Sequence, residues 1–174
     1  VTSLLEAPLV FVPMLVEARR AARNERVQRS RGGVEPAGDV YAAMRVAYPA
    51  AFALMILEGA LRGGPSRVWF DIGLGCFALG KAIKWWAILT LGPAWTFRVI
   101  VVPGVSLVDS GPYRFLRHPN YVGVVLELAG AALMAGAAVS GPLAIVLFGM
   151  LLKRRMSVEE RALASAARHR PCGL

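Results

Sequence analysis

Residues 121–152 read YVGVVLELAGAALMAGAAVSGPLAIVLFGMLL. Two apolar runs, Tyr121–Val139 and Gly141–Leu152, are joined by almost nothing. The linking VSGP has room only to turn the chain over, so the two runs are expected to form a tight helical hairpin. Gly130, Ala131, Ala132, Gly136 and Ala137 are small enough to let helices approach closely. That is how helices associate in lipid, where no hydrophobic force draws them together. One acid, Glu127, sits well inside the first run. An ionisable group at that depth is either functional or paired with a cation on a neighbouring helix. Arg45, Lys81 and Lys84 are the candidates for such a pair, and pairing is the preferred reading.

The rest of the chain extends the same pattern. Of its 174 residues 56% are hydrophobic, with a net charge of +9 and a mean hydropathy of +0.54. That is too apolar for an ordinary soluble domain and predicts an all-α integral membrane protein, one domain over 1–174. Three further apolar segments, Leu4–Val16, Val46–Leu61 and Val68–Gly80, bring the total to five expected spans. Several are shorter than the ~20 residues that cross a bilayer. Each can be lengthened by Arg, Lys, Trp or Tyr at the interface, with Trp85 and Trp86 as an interfacial belt. Lys and Arg alternate between the connections. Seven lie in Glu17–Arg45, two between segments two and three, five in Lys81–Arg117, none in Ser140–Gly141, and six from Lys153 onward. Basic loops stay cytoplasmic, which predicts an outside N-terminus and an inside C-terminus.

The stretch Glu17–Arg31, EARRAARNERVQRSR, is expected to carry the first helix beyond the membrane until GGVEPAG breaks it. WTFRVIVV and VSLVD flank Pro103-Gly104 and predict a short cytoplasmic β-hairpin. The basic charge offers no soluble face for nucleic acid, which is not expected as a partner. Cys76 and Cys172 form neither a disulfide framework nor a CxxC pair, so no metal is expected, and Cys76 reads as packing. The first apolar run lacks a basic leader, so a cleavable signal is not expected. Glu58 and Asp71 fall near the outer boundary and call for no special role.

Just before the hairpin, Ser110–Gly123 reads SGPYRFLRHPNYVG. Gly111-Pro112 makes a turn. His118 precedes Pro119 and is biased away from the helical region, while Pro119 suits the first turn of a helix. The N–H groups of Asn120–Gly123 are then unpaired helix-start donors, and Arg117 and His118 stand beside them, which together suit a carboxylate or phosphate. Gly123 would allow a ligand or a helix to come close. The plain alternative is a membrane-entry loop, with Arg114 and Arg117 on lipid phosphates. Just after the hairpin, RRMSVEERAL carries Arg155, Glu159 and Glu160. These could be an ordinary solvated helix with an Arg155–Glu159 pair. In a hairpin, however, the two carboxylates face the anion site across a small gap. A ligand with both a carboxylate and an ammonium fits there, and the amino-acid end of S-adenosylmethionine is one.

These residues resemble the isoprenylcysteine carboxyl methyltransferase family. Its pattern G-x-Y-x-x-x-R-H-P-x-Y-x-G, a helical hairpin and R-x-x-x-E-E is matched by Gly111, Tyr113, Arg117, His118, Pro119, Tyr121, Gly123, Arg155, Glu159 and Glu160. RRAARNERVQRSRGGVEPAGDVYAAM, with Asn24 and Glu25, and LGPAWTFRVIV resemble its bacterial branch, which includes O-methyltransferases of alkylpyrones and phenolic lipids. The resemblance implies a five-helix membrane fold with its motif core at 107–163, and a bacterial inner-membrane enzyme with a cytoplasmic site. It implies S-adenosylmethionine held by the Arg-His-Pro stretch and the glutamate pair, with Arg155 as the catalytic candidate. The acceptor would be a lipophilic small molecule or a lipid-anchored substrate met among membrane lipids, its anionic oxygen within reach of Lys153, Arg154 or Arg155. The chain departs from the family at ALASAARHRPCGL, which lacks the tyrosines many members carry there, so a shortened lid or substrate contacts from elsewhere are expected. An NADPH-dependent, sterol-type membrane reductase shares a similar H-P-N-Y stretch, and a non-catalytic membrane scaffold would keep the hairpin. Both stay open at this point, as do phospholipid amines as acceptors and the oligomeric state.

Overall fold

The computed structural model describes residues 2–104 and 108–168. Five helices carry the fold: α1 Thr2–Ser30, α2 Tyr41–Arg62, α3 Arg67–Leu91, α4 Pro119–Ala135 and α5 Ser140–Arg168. Single 3-10 turns occupy Gly92–Ala94 and Gly111–Arg114. Among the described residues two segments, against the five spans expected, are long and apolar enough to cross a membrane: α2, and α3 together with the turn that follows it. The helices alternate in direction. At one end of the bundle, Glu58 near the close of α2 touches the start of α5. At the other, Asn24 of α1 donates to Gly92 and Trp95 after α3, and His118 before α4 meets Glu160 of α5.

α1 runs unbroken through EARRAARNERVQRS, as its helix-forming composition predicts. α3 is longer than its apolar core suggested, so Lys81 and Lys84 lie inside it rather than in a basic loop. They are neutralised within the bundle. Lys81 Nζ lies 2.9 Å from both Glu17 Oε1 and Glu127 Oε2. Lys84 Nζ lies 2.6 Å from Glu17 Oε2 and 3.4 Å from Glu127 Oε2. The Tyr48 hydroxyl donates to Glu127 Oε2 at 2.6 Å. Glu17, Lys84 and Glu127 are all at most 3% exposed. One cluster of two carboxylates and two ammonium groups therefore ties α1, α2, α3 and α4 together, and Glu127 is a structural partner of Lys81 and Lys84.

Small residues act where they were expected, but the tightest pair is α3 with α4 rather than the hairpin. A Cβ added at Gly80 would lie 2.8 Å from the Gly123 carbonyl oxygen, and one at Gly123 would lie 2.8 Å from the Gly80 oxygen. Gly73 and Gly130 repeat the arrangement two turns along. Half-buried Cys76 joins this face, its Sγ 3.5 Å from the Leu126 carbonyl.

The hairpin turn falls at Gly136–Val139, earlier than VSGP suggested. Gly136 has φ +68°, and Ala137 N–H donates to the Ala132 carbonyl at 2.8 Å, closing α4. Ser140, Gly141 and Pro142 instead begin α5, where a proline costs nothing because first-turn N–H groups lack helical partners. Glu58, read from sequence as having no special role, supplies those partners. Its carboxylate accepts from Val139 N, Ser140 N and Ser140 Oγ at 3.0, 2.7 and 2.6 Å. α5 then continues without a break through RRMSVEERAL.

The expected β-hairpin is not what forms. Among the described residues there is no strand, only an antiparallel bridge between Val101 and Val34, with N···O distances of 2.9 and 3.0 Å. Residues 105–107 of the expected second arm lie outside the described residues, as does Cys172. Segment 92–101 becomes a roof pinned to α1 and the 31–40 loop. Arg98 meets Glu25 at 3.2 Å and Glu35 at 2.7 Å, Arg29 meets Glu35 at 2.7 Å, and the Arg98 guanidinium lies 4.7 Å from the Tyr41 ring centre. Burial pushes the Glu35 carboxyl up, but hydrogen bonds from Arg98 and Arg29 outweigh it and hold Glu35 below its ordinary value.

Three outcomes follow for stability, each read from thermal unfolding in detergent. Glu127→Leu leaves one buried and one half-buried ammonium group facing one carboxylate and should cost about 3–5 kcal/mol. Adding Lys84→Met restores neutrality and should recover part of that loss; strict additivity of the two would contradict the cluster. Gly80→Ala should cost about 1–3 kcal/mol by overpacking, whereas Gly75→Ala, with nothing within 4 Å of the added Cβ, should be harmless. Glu35→Gln should lower the melting temperature at neutral pH. Because the folded pKa is depressed, Glu35 contributes fully above the unfolded value near 4.5. The gap between wild type and variant should close as pH falls below that value through the folded pKa.

Candidate functional site

The turn Gly111–Arg114 and the start of α4 are brought together with the C-terminal half of α5 by the hairpin. Gly111 adopts φ +57°, with Thr90 so close that a Cβ would lie 2.5 Å from its Oγ1. Pro112 is buried beneath the turn. His118 has φ −131° and ψ 61°, outside the helical region, and Pro119 opens α4 as a fully buried residue. These backbone settings aim His118 and Tyr121 at the same space. Their rings stack at 5.3 Å with an interplanar angle of 18°.

α5 supplies the facing groups. His118 Nε2 lies 3.3 Å from Glu160 Oε1. The Tyr121 hydroxyl donates to Glu159 Oε2 at 2.7 Å and accepts from Arg155 Nε at 3.1 Å. Arg155 is 6% exposed. Its Nη1 lies 3.1 Å from Asp39 Oδ1. Asp39 in turn accepts from Tyr41 N through Oδ1 at 3.1 Å and from Val99 N through Oδ2 at 2.9 Å. The polar chain Asp39–Arg155–Tyr121–Glu159 thus links the loop before α2, the roof, α4 and α5. Tyr113 is half-buried beside the Glu159 charge, and both effects push its phenol up, so it stays protonated.

A cavity of ≈ 1230 Å³ opens from this cluster. Tyr113, Arg117, His118, Tyr121, Arg155, Glu159 and Glu160 line its polar end. Phe11, Met14 and Leu15 of α1, Met44 of α2, and Phe148 and Leu152 of α5 form an apolar wall, and residues 94–101 roof it. Drug-sized ligands occupy pockets of roughly 300–1,000 Å³, so this space can hold two reactants at once. Asn120 Oδ1 is a buried acceptor with no hydrogen-bond partner, on a residue that lines the cavity.

Three of the expected site residues do not line the cavity. Gly111 shapes the turn, Pro119 starts α4, and Gly123 lets α3 approach. Exposed Arg114 does not line it either. The expected helix-start donors are partly taken, since Tyr121 N and Val122 N both donate to the His118 carbonyl, at 3.1 and 3.3 Å. The sequence reading also missed residues. Asp39 sits in a Gly- and Pro-rich loop with no pattern around it. Asn24, read only as part of the bacterial-branch resemblance, is 8% exposed and fastens α1 to the roof, with Nδ2 2.7 Å from the Trp95 carbonyl.

Residues 73–165 match the model of the isoprenylcysteine carboxyl methyltransferase (ICMT) family. The uncharacterized protein YpbQ of Bacillus subtilis is 31% identical over 156 residues, 89% of this chain and 92% of its own length. An uncharacterized protein of Haemophilus influenzae is 22% identical over 82% of this chain and 83% of its own. A probable protein-S-isoprenylcysteine O-methyltransferase of Oryza sativa subsp. indica is 31% identical over 62% of this chain and 57% of its own. No solved structure matches. With more than half the chain matched, and with the two halves of the sequence pattern meeting across one cavity, this protein belongs to the isoprenylcysteine carboxyl methyltransferase family of membrane methyltransferases.

Proposed function

We propose that this protein transfers a methyl group from S-adenosylmethionine to an oxygen on the acidic head of a lipophilic acceptor. All five helices cross the inner membrane, and the site faces the cytoplasm. The observation that carries this reading is the single cavity joining a doubly acidic, histidine-bearing end to an apolar wall. A soluble, zwitterionic donor suits the first, and an alkyl or prenyl chain suits the second.

The residues present fit the donor. Glu159, which keeps Oε1 outside its bond to Tyr121, and Glu160 would hold its ammonium group. Arg117 and His118 would hold its carboxylate, and Asn120 Oδ1 would accept from an N–H or O–H group. S-adenosylmethionine supplies a methyl group already activated for displacement, so the protein's share is to orient the partners and exclude water. Arg155 spends Nε on Tyr121 and Nη1 on Asp39; Nη2 is engaged by neither and would hold the acceptor's anionic oxygen. A carboxylate, enol or phenol is nucleophilic enough near neutral pH without a dedicated base. The apolar wall would keep the acceptor's tail in contact with lipid while its head meets the donor.

Among acceptors, an alkylpyrone or phenolic lipid fits the bacterial-type sequence features, while the rice relative's name points to the carboxyl group of a prenylated cysteine. Labelled methyl transfer in nanodiscs, over a chain-length series of alkylpyrones, alkylresorcinols and prenylcysteines, tests the reading. Turnover at low substrate should rise steeply with chain length, since each buried CH₂ contributes about 0.8 kcal/mol. Equal rates for short soluble analogues, or activity on phospholipid amines alone, would sink it. Preference for prenylcysteine over the polyketide lipids would reverse the choice of acceptor.

A further inference from the structure

We infer that Asp39 is a positioning residue whose charge holds Arg155 away from Glu159, and so keeps the Glu159 carboxylate available to a cationic ligand. The inference rests on the donor-binding reading above and lies outside the stretch matched by the family model, which begins at residue 73.

Arg155 and Glu159 stand four residues apart on α5. Arginine and a carboxylate at that spacing ordinarily pair, and in this molecule Arg29–Glu25, Arg62–Glu58 and Arg67–Asp71 all do. No ion pair joins Arg155 to Glu159 among the described residues. Two groups intervene. Asp39 holds Arg155 Nη1 at 3.1 Å, with the two side chains 4% and 7% exposed. The Tyr121 hydroxyl fills the space between, taking a hydrogen bond from Arg155 and giving one to Glu159. Asp39 is itself fixed, because backbone N–H groups of Tyr41 and Val99 donate to its two oxygens.

A buried guanidinium cannot remain without a counter-charge. Once Asp39 loses its charge, the nearest carboxylate on the same helix is Glu159, one turn on. Arg155 would then compete with the ammonium of the ligand for it. The same shift would draw Arg155 off the position from which Nη2 is to meet the acceptor.

The probe is S-adenosylhomocysteine, the demethylated product, which keeps the ammonium group, titrated calorimetrically into the full chain in nanodiscs. Asp39→Asn should weaken binding roughly tenfold, the scale of one charge-assisted contact. Glu159→Gln should weaken it by a similar factor. Adding Asp39→Asn to Glu159→Gln should cost nothing further, because the contested carboxylate is already gone. Asp39→Glu, which restores the charge, should bind within about threefold of wild type on the same scale. A purely structural role for Asp39 predicts additive losses in the double variant, and that result overturns the inference, as does unchanged binding by Asp39→Asn. If Asp39→Asn does not fold, the comparison passes to Asp39→Glu and Asp39→Ser, whose affinities should differ in the wild-type background and coincide with Glu159→Gln; equal affinities in both backgrounds overturn it. Wild-type protein that binds neither S-adenosylmethionine nor this product refutes the proposed function itself, whereas wild-type binding with an indifferent Asp39 refutes this inference alone.

Discussion

Two carboxylates and two ammonium groups, buried where four helices meet, set the terms for the rest of this structure. Glu17, Lys81, Lys84 and Glu127 carry no net charge as a group, and only as a group are they tolerable in an apolar interior. Each needs the others, so α1, α3 and α4 cannot slide or rotate independently, and Tyr48 brings α2 into the same lock. Hydrophobic contact alone would not give this specificity, because one apolar helix face in lipid resembles another. The glycines of α3 and α4 complete the arrangement by bringing backbones close enough for short lysine–glutamate distances.

The cavity lies against that lock, with Glu17, Tyr48 and Lys84 in its lining. α3 and α4 are drawn together, while α1, α2 and α5 stand around a space that the roof segment 94–101 closes on one side. The roof is not an element of regular structure. It is held by single hydrogen bonds and ion pairs to α1 and the 31–40 loop: Asn24 and Gln28 to carbonyls, Arg98 to Glu25 and Glu35, Asp39 to Val99. Trp95, packed with Ala21 and Ile88, adds an apolar anchor to these polar ones.

How much of this could be read in the sequence depended on whether the relevant partners were near in sequence or repeated in pattern. The five apolar segments appear as five helices because hydropathy acts locally. The approach of His118 and Tyr121 to Glu160 and Glu159 was readable because a hairpin returns the chain to the same end. Lys81 and Lys84 were misplaced because a charge looks like the end of an apolar helix until its counter-ions on α1 and α4 are known. The valine-rich run at 99–102 reads as a strand, yet a strand needs a neighbour, and Val101 finds only Val34. Asp39 was invisible for the same reason at longer range, with 116 positions separating it from Arg155. Glu58 shows the opposite limit: it is an ordinary exposed-end glutamate until the end of α2 is set beside the start of α5.

That last contact reaches further than a helix cap. α5 is unbroken from Ser140 to Arg168, so whatever fixes its first turn also fixes its rotation about its own axis all along its length. Arg155 lies fifteen positions on, about 22 Å along the axis at 1.5 Å per residue. Slipping the helix by one residue would turn every side chain by about 100° and carry Glu159 out of reach of Tyr121. The three hydrogen bonds at Glu58 therefore serve as an alignment pin: one end of the bundle sets the aim of the charged groups at the other.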